Sequence, residues 1–283
     1  MTDNYINVTF LNGSNEYIKD EYFEKVKFIM HVVTCIIICI GLPLTLMTIY
    51  ALFSLVRKDH VAPIYVINLL ISDLIQLCCM FIHETKKHET HAIVFYSYYC
   101  GLLTSVGFMV CVSLERYLVI AHPLWYRFKR TIKNSVVVSV VAWFIPPVFF
   151  LTVFRWFTFD VARSIFAIFL IIPFPLFIFF LVGTLRVLSA SVSVPSEEKQ
   201  RIVGILVLVL LIYTLLFVPI MILFLNGNRS DRTLTDLALM FAKLSPLADL
   251  ILYVFYRKKS IGTLFTAVNC CRVANTDTNI STV

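Results

Sequence analysis

Charge is what this chain has least of: of 283 residues, only 14% are Asp, Glu, Lys or Arg. A soluble domain carries nearer a quarter, because charged side chains make up much of a water-facing surface. An ordinary water-soluble fold is thereby excluded, and a composition that is 59% hydrophobic with 25 Phe makes lipid the main solvent. Catalytic signatures are missing too. No Gly-x-Ser-x-Gly, phosphate loop or dinucleotide-binding glycine pattern occurs, so the chain is not read as an enzyme. His83-Glu84 meets its next histidine at His88, and His88-Glu89 at His91, so neither gives the His-Glu-x-x-His of a zinc hydrolase. The amino-terminal residues lack the basic start and apolar run of a cleaved signal peptide, which leaves insertion to the first apolar stretch.

Seven stretches are long enough and apolar enough to cross a bilayer: Phe28 to Val56, His60 to His83, Thr90 to Leu114, Ser135 to Phe154, Ser164 to Leu185, Ile202 to Asn228 and Leu237 to Tyr256. Strands of a β-barrel would alternate and be about half as long, so an all-α membrane bundle of seven helices is expected. The chain then divides into a polar tail over 1–27, the bundle over 28–256, and a tail over 257–283 whose start suits a short interfacial helix.

The net charge of +7 comes from 24 Lys+Arg against 17 Asp+Glu, and the basic residues sit in the short gaps between apolar runs. That distribution fits membrane orientation and not nucleic-acid binding. With the amino end outside the plasma membrane, nine Lys and Arg fall externally and fourteen internally, as the positive-inside rule requires. Glycosylation sequons at Asn7 and Asn12 agree with that orientation. None of the eight cysteines falls in an expected external loop, which leaves no extracellular disulfide framework. Cys270 and Cys271, beyond the last span, offer a pair for palmitoylation.

Polar groups inside a bilayer are costly and therefore mark function. Asp73, Ser105, Arg116, Lys243 and Asp249 are such groups, and Tyr98, Leu102, Ser105, Met109 and Arg116 recur at helical spacing along one stripe of the third span. At the inner end of that span stands Glu115-Arg116-Tyr117, with Asn68-Leu-Leu-Ile-Ser-Asp73-Leu in span two. Trp143 lies in span four, Pro173 and Pro175 in span five, Phe217-Val-Pro219 in span six and Asp249-Leu-Ile-Leu-Tyr253 in span seven. In these motifs, over nearly its whole length, the chain resembles rhodopsin-like (class A) G-protein-coupled receptors, near their nucleotide, lipid and proton branch. It departs from them in lacking the cysteine at the outer end of span three, in Leu216-Phe217 where Cys-Trp is usual, and in Asp249 where span seven usually has Asn-Pro.

The resemblance implies an external ligand that shifts a helix equilibrium and so activates a heterotrimeric G protein. Glu115, Arg116, Tyr117, Pro219 and Tyr253 would form the switch, with Phe217 as packing toggle. Asp73, Ser105 and Asp249 would hold a sodium ion; the competing reading is a hydrogen-bonded core with one acid protonated. Lys243 would meet an anionic or lipid-like ligand, walled by Tyr98, Leu102 and Phe217. Snorkelling is the alternative for Lys243, and a retinal Schiff base lacks an acid on span three.

His31, His83, His88 and His91 suggest a second stimulus, protons, since imidazoles titrate near neutrality. The rival of another class is a transporter or channel, against which the odd number of spans and the absence of inverted halves argue. The ending Ser281-Thr282-Val283 resembles a PDZ-domain ligand.

Overall fold

The computed structural model describes residues 3–56, 64–85, 91–122, 124, 126, 132–190, 196–226 and 232–254, with the side chains of the first helix described from Glu24 to Phe53. Among the described residues seven segments are long and apolar enough to cross a membrane, from Glu24–Phe53 to Leu234–Val254; they overlap the seven stretches expected from hydropathy, and the third runs on to Ala121, past the expected Leu114. Helices follow from the solvent: lipid supplies no hydrogen-bond partners, so each backbone N–H must find its carbonyl within its own segment. The elements are α1 (Asp3–Val56), α2 (Ile64–Thr85), α3 (His91–Ala121), α4 (Ile132–Trp156), α5 (Phe159–Ile171), α6 (Pro173–Ala190), α7 (Ser196–Asn226), α8 (Arg232–Lys243) and α9 (245–254).

Three features differ from the expected pattern, and the two helix breaks among them have identifiable causes. The residues read as a polar tail continue the first span as helix from Asp3 onward. Span five is two helices, because Pro173 has no N–H to carry the ladder past Ile172; that residue stays right-handed at φ −55 and ψ −43, so the pieces remain one crossing. Span seven is likewise interrupted at Leu244, two residues before Pro246, where Leu244 N–H and Leu247 N–H donate to the carbonyls of Phe241 and Leu244 over a three-residue step. The second break falls directly after Lys243.

The third span is the axis of the bundle: α3 packs against α2, α4, α6 and α7. Its stripe is buried as the spacing requires, with Leu102, Ser105 and Met109 all inaccessible. Leu102, Phe108 and Met109 join Phe177, Tyr213 and Phe217 in the main apolar core, while Leu70, Val112 and Tyr253 form a smaller core nearer the Glu115 end. Outward positions remain apolar, as at Leu151 and Phe144, because they face lipid. Two of the recognised motifs tie spans together: Trp143 Nε1 donates to Asn68 Oδ1 at 2.9 Å, joining α4 to α2.

Candidate functional site

The polar residues singled out above fall in three places along the bundle. Midway through it, Asp73 on α2, Ser105 on α3 and Asp249 on α9 are completely buried. Ser105 Oγ donates to Asp249 Oδ2 at 3.0 Å, and Gln76 Nε2 donates to Asp73 Oδ1 at 3.3 Å. The two carboxyl groups lie within electrostatic reach of each other. Their remaining oxygens, Asp73 Oδ2 and Asp249 Oδ1, have no hydrogen-bond partner among the described residues, nor do Gln76 Oε1 and Ser245 Oγ.

Buried oxygens left without a donor are costly, and carboxylate and hydroxyl oxygens are of the type that a hard cation of low charge accepts as ligands. Among the described residues no group of three or more His, Cys, Asp or Glu could hold a metal ion; the oxygens gathered here belong to two carboxyl groups, an amide and two hydroxyls. Ser245 was not picked out in sequence; its signal is its place one helical turn before Asp249.

The second cluster lies toward the amino end of α1. A cavity of about 210 Å³ is lined by Tyr98, Tyr99, Glu84, His83, Met80 and Lys243, among others. Lys243 Nζ donates to Thr34 Oγ1 at 3.1 Å, and Glu84 and Asp236 act on its charge. Glu84 Oε2 is in turn 2.5 Å from His31 Nδ1. The Tyr98 hydroxyl, buried in the same cavity wall, has no hydrogen-bond partner among the described residues. Phe217 and Leu102 lie elsewhere: both are fully buried in the apolar core, Phe217 with its ring 4.9 Å from Tyr213, and neither lines the cavity. Thr34 was not singled out in sequence; it and Glu84 belong to the cluster because the middle of α1, around His31 and Thr34, meets the carboxyl end of α2 and Lys243 there.

The switch residues sit at the opposite end. Glu115 is buried and its Oε1 accepts a hydrogen bond from Tyr126 at 2.8 Å. Arg116 beside it is also engaged. Tyr117 packs between Phe179 and Phe180 of α6, each 5.7 Å away, and directly over Gly183. Pro219 lies inside the unbroken α7, and Tyr253 is buried against α1 to α3 residues of the smaller core. His88, Cys270, Cys271 and Val283 lie outside the described residues, as do the side chains of Asn7, Asn12 and His91. The six described cysteines are all free thiols.

Comparisons with known proteins agree with this arrangement. The family model "7 transmembrane receptor (rhodopsin family)" matches residues 44–253. Similar proteins include G-protein coupled receptor 68 of Mus musculus, 24% identical over 264 residues that cover 79% of this chain and 72% of that one. A purinoceptor of Gallus gallus is 29% identical over 147 residues, covering 48% of this chain and 44% of that one. Free fatty acid receptor 3 of Mus musculus is 31% identical over 121 residues, covering 39% and 38%. The last two matches therefore span less than half of those relatives' length. With the match running from Leu44 in the first span to Tyr253 in the last, this chain belongs to the rhodopsin family of seven-transmembrane receptors.

Proposed function

We propose that this receptor, set in the plasma membrane with its amino end outside, binds a small anionic molecule in the Lys243 cavity and passes the change to a heterotrimeric G protein at the Arg116 end. One observation carries the ligand class: a half-buried lysine and an unpartnered buried tyrosine hydroxyl share one small cavity. Unsatisfied polar groups in an apolar wall cost about 1–3 kcal/mol each, and an acidic ligand head would relieve that cost. The volume of about 210 Å³ lies below the roughly 300–1,000 Å³ typical of drug-sized ligands, which suits a short carboxylate. Met80, Val94 and Leu239 supply an apolar wall for its tail. That one relative is named a free fatty acid receptor supports the same class.

Transmission would use the features between the two ends. Lys243 sits immediately before the break in span seven, so a pull on it acts on the hinge and through it on Asp249, six residues on. Sodium at Asp73, Ser105 and Asp249 would hold the resting arrangement, its single charge compensating carboxylates that the bundle otherwise leaves facing each other. Pro219 lets α7 bend, and release of Glu115 from Tyr126 would free the neighbouring Arg116 to offer its donors to the G protein.

The test is nucleotide exchange on purified G proteins with straight-chain carboxylates of increasing length. Lys243→Ala should raise the half-maximal concentration at least tenfold, Tyr98→Phe less, and Arg116→Ala should abolish exchange at every concentration. Unchanged potency in Lys243→Ala would overturn the ligand site and leave receptor function standing.

A second reading is supported by the His31–Glu84 contact of 2.5 Å. A protonated His31 would hold the Glu84 charge away from Lys243, so protons and an anionic ligand would act together. Under this reading His31→Phe removes any change in response between about pH 6 and 8, whereas a preserved pH response would remove His31 from it.

A further inference from the structure

Between α3 and α4 lies a second cavity of about 790 Å³ that shares no residue with the one around Lys243. Its floor is Gly101, Thr104 and Trp143, and its walls are the rings of Tyr96, Phe150 and Phe154. Its mouth is marked by Ile93 and Leu151, which are 73% and 74% exposed and stand within membrane-crossing segments, so it opens sideways into lipid. The volume is that of a ligand-binding cavity, whereas a lipid-facing helix seam normally closes by side-chain packing.

One end of this groove is charged. Arg155, one residue before the end of α4, is the one ionic side chain in its lining, is exposed, and has no partner among the described residues. The hydroxyl of Ser97, which lines the groove from α3, also has no hydrogen-bond partner among the described residues. Arg155 lies at the end of its span, where the hydrocarbon meets the headgroups, and apolar walls run inward from it toward Trp143. An apolar channel with a single cation at its interfacial end complements an amphiphile with one negative charge. A guanidinium and a hydroxyl satisfy a carboxylate. A phosphodiester headgroup would bring further polar atoms that these aromatic walls leave unpaired.

We propose that this groove is a second ligand site, which takes a long-chain fatty acid from the surrounding leaflet with its carboxylate on Arg155 and Ser97 and its chain lying over Gly101 toward Trp143. The floor explains why occupancy would matter to the receptor. A Cβ on Gly101 would stand 3.0 Å from Cγ of Gln76, the residue that holds Asp73, and Thr104 directly precedes Ser105, which holds Asp249. The chain would therefore rest one side chain away from the buried acid pair.

The experiment uses the full-length receptor in nanodiscs of neutral phosphatidylcholine and a diazirine-bearing octadecenoic acid as probe. Labelled residues are read by mass spectrometry. Label should fall on α3 between Ile93 and Thr104 and on α4 between Trp143 and Arg155, and unlabelled oleate should displace it while its methyl ester does not. Arg155→Gln should weaken labelling about tenfold, as loss of a charge-assisted hydrogen bond requires. Leu151→Trp should block the mouth, and because Leu151 and Arg155 both face outward, neither change disturbs the core. Lys243→Ala should leave labelling unchanged, which separates this site from the first. Equal displacement by the methyl ester, displacement by phosphatidylserine but not by oleate, or labelling indifferent to both variants would overturn the proposal.

Discussion

Gly183 offers the sharpest test of how the inner end is packed. A Cβ built on it would meet Cε2 of Tyr117 at 2.7 Å, with Cδ2 and Cζ at 3.4 Å. That ring cannot simply swing aside, because Phe179 and Phe180 stand 5.7 Å from its centre and His122 stands 6.4 Å away. Gly183→Ala is therefore an overpacking change, costing about 1–3 kcal/mol. Replacing a helical glycine by alanine also returns about 0.8–1 kcal/mol of backbone propensity, so the net loss is roughly 0–2 kcal/mol.

Gly204 supplies the control. It is helical, and a Cβ there meets nothing within 4 Å, so Gly204→Ala keeps the propensity gain without the clash. The two variants should differ by about 1–3 kcal/mol, which at roughly 2–4 °C per kcal/mol separates their thermal midpoints by several degrees. Thermal melts of the purified receptor at one scan rate read this out, since membrane-protein unfolding is often irreversible and only relative midpoints are comparable. Adding Tyr117→Ala to Gly183→Ala should recover the loss and give a coupling energy of the same size. Equal midpoints for the two glycine variants, or no recovery in the double variant, would refute the packing argument. Because Tyr117 adjoins Arg116, Gly183→Ala should also lower G-protein nucleotide exchange where Gly204→Ala does not.

Other outcomes follow from single contacts. Tyr126→Phe removes the hydroxyl donated to Glu115 at 2.8 Å, a charged hydrogen bond worth about 1.5–3 kcal/mol, and should raise ligand-free nucleotide exchange. Trp143→Phe breaks the bond to Asn68 and should lower the thermal midpoint by an amount matching about 0.6–1.7 kcal/mol. Sodium chloride should raise the wild-type midpoint above that in choline chloride at equal ionic strength. Asp249→Asn should remove the difference and Ser245→Ala should reduce it, as expected for an ion that binds only the folded bundle.

Hydropathy alone determined that this chain is a seven-span bundle, because lipid imposes one solution on any apolar segment of sufficient length. The spacing of Tyr98, Leu102, Ser105 and Met109 likewise fixed which face of the third span is buried, and Asp73, Ser105 and Asp249 were marked by the cost of placing polar groups in hydrocarbon. What could not be read along the chain was which side chains from different spans meet. Phe217 had the right sequence context for a ligand wall, yet it packs on Tyr213, while Thr34 and Ser245 entered the polar clusters from positions with no motif of their own.

The break at Leu244 arises from Pro246, a local cause visible in sequence. Its consequence, a hinge between Lys243 and Asp249, needed the cavity and the acid pair on either side to be seen. Tyr117 over Gly183 and the groove beneath Arg155 are of the same kind, since both depend on helix rotation and crossing angle. Those are set by the packing of whole faces against each other, a sum of many weak contacts that no single residue encodes.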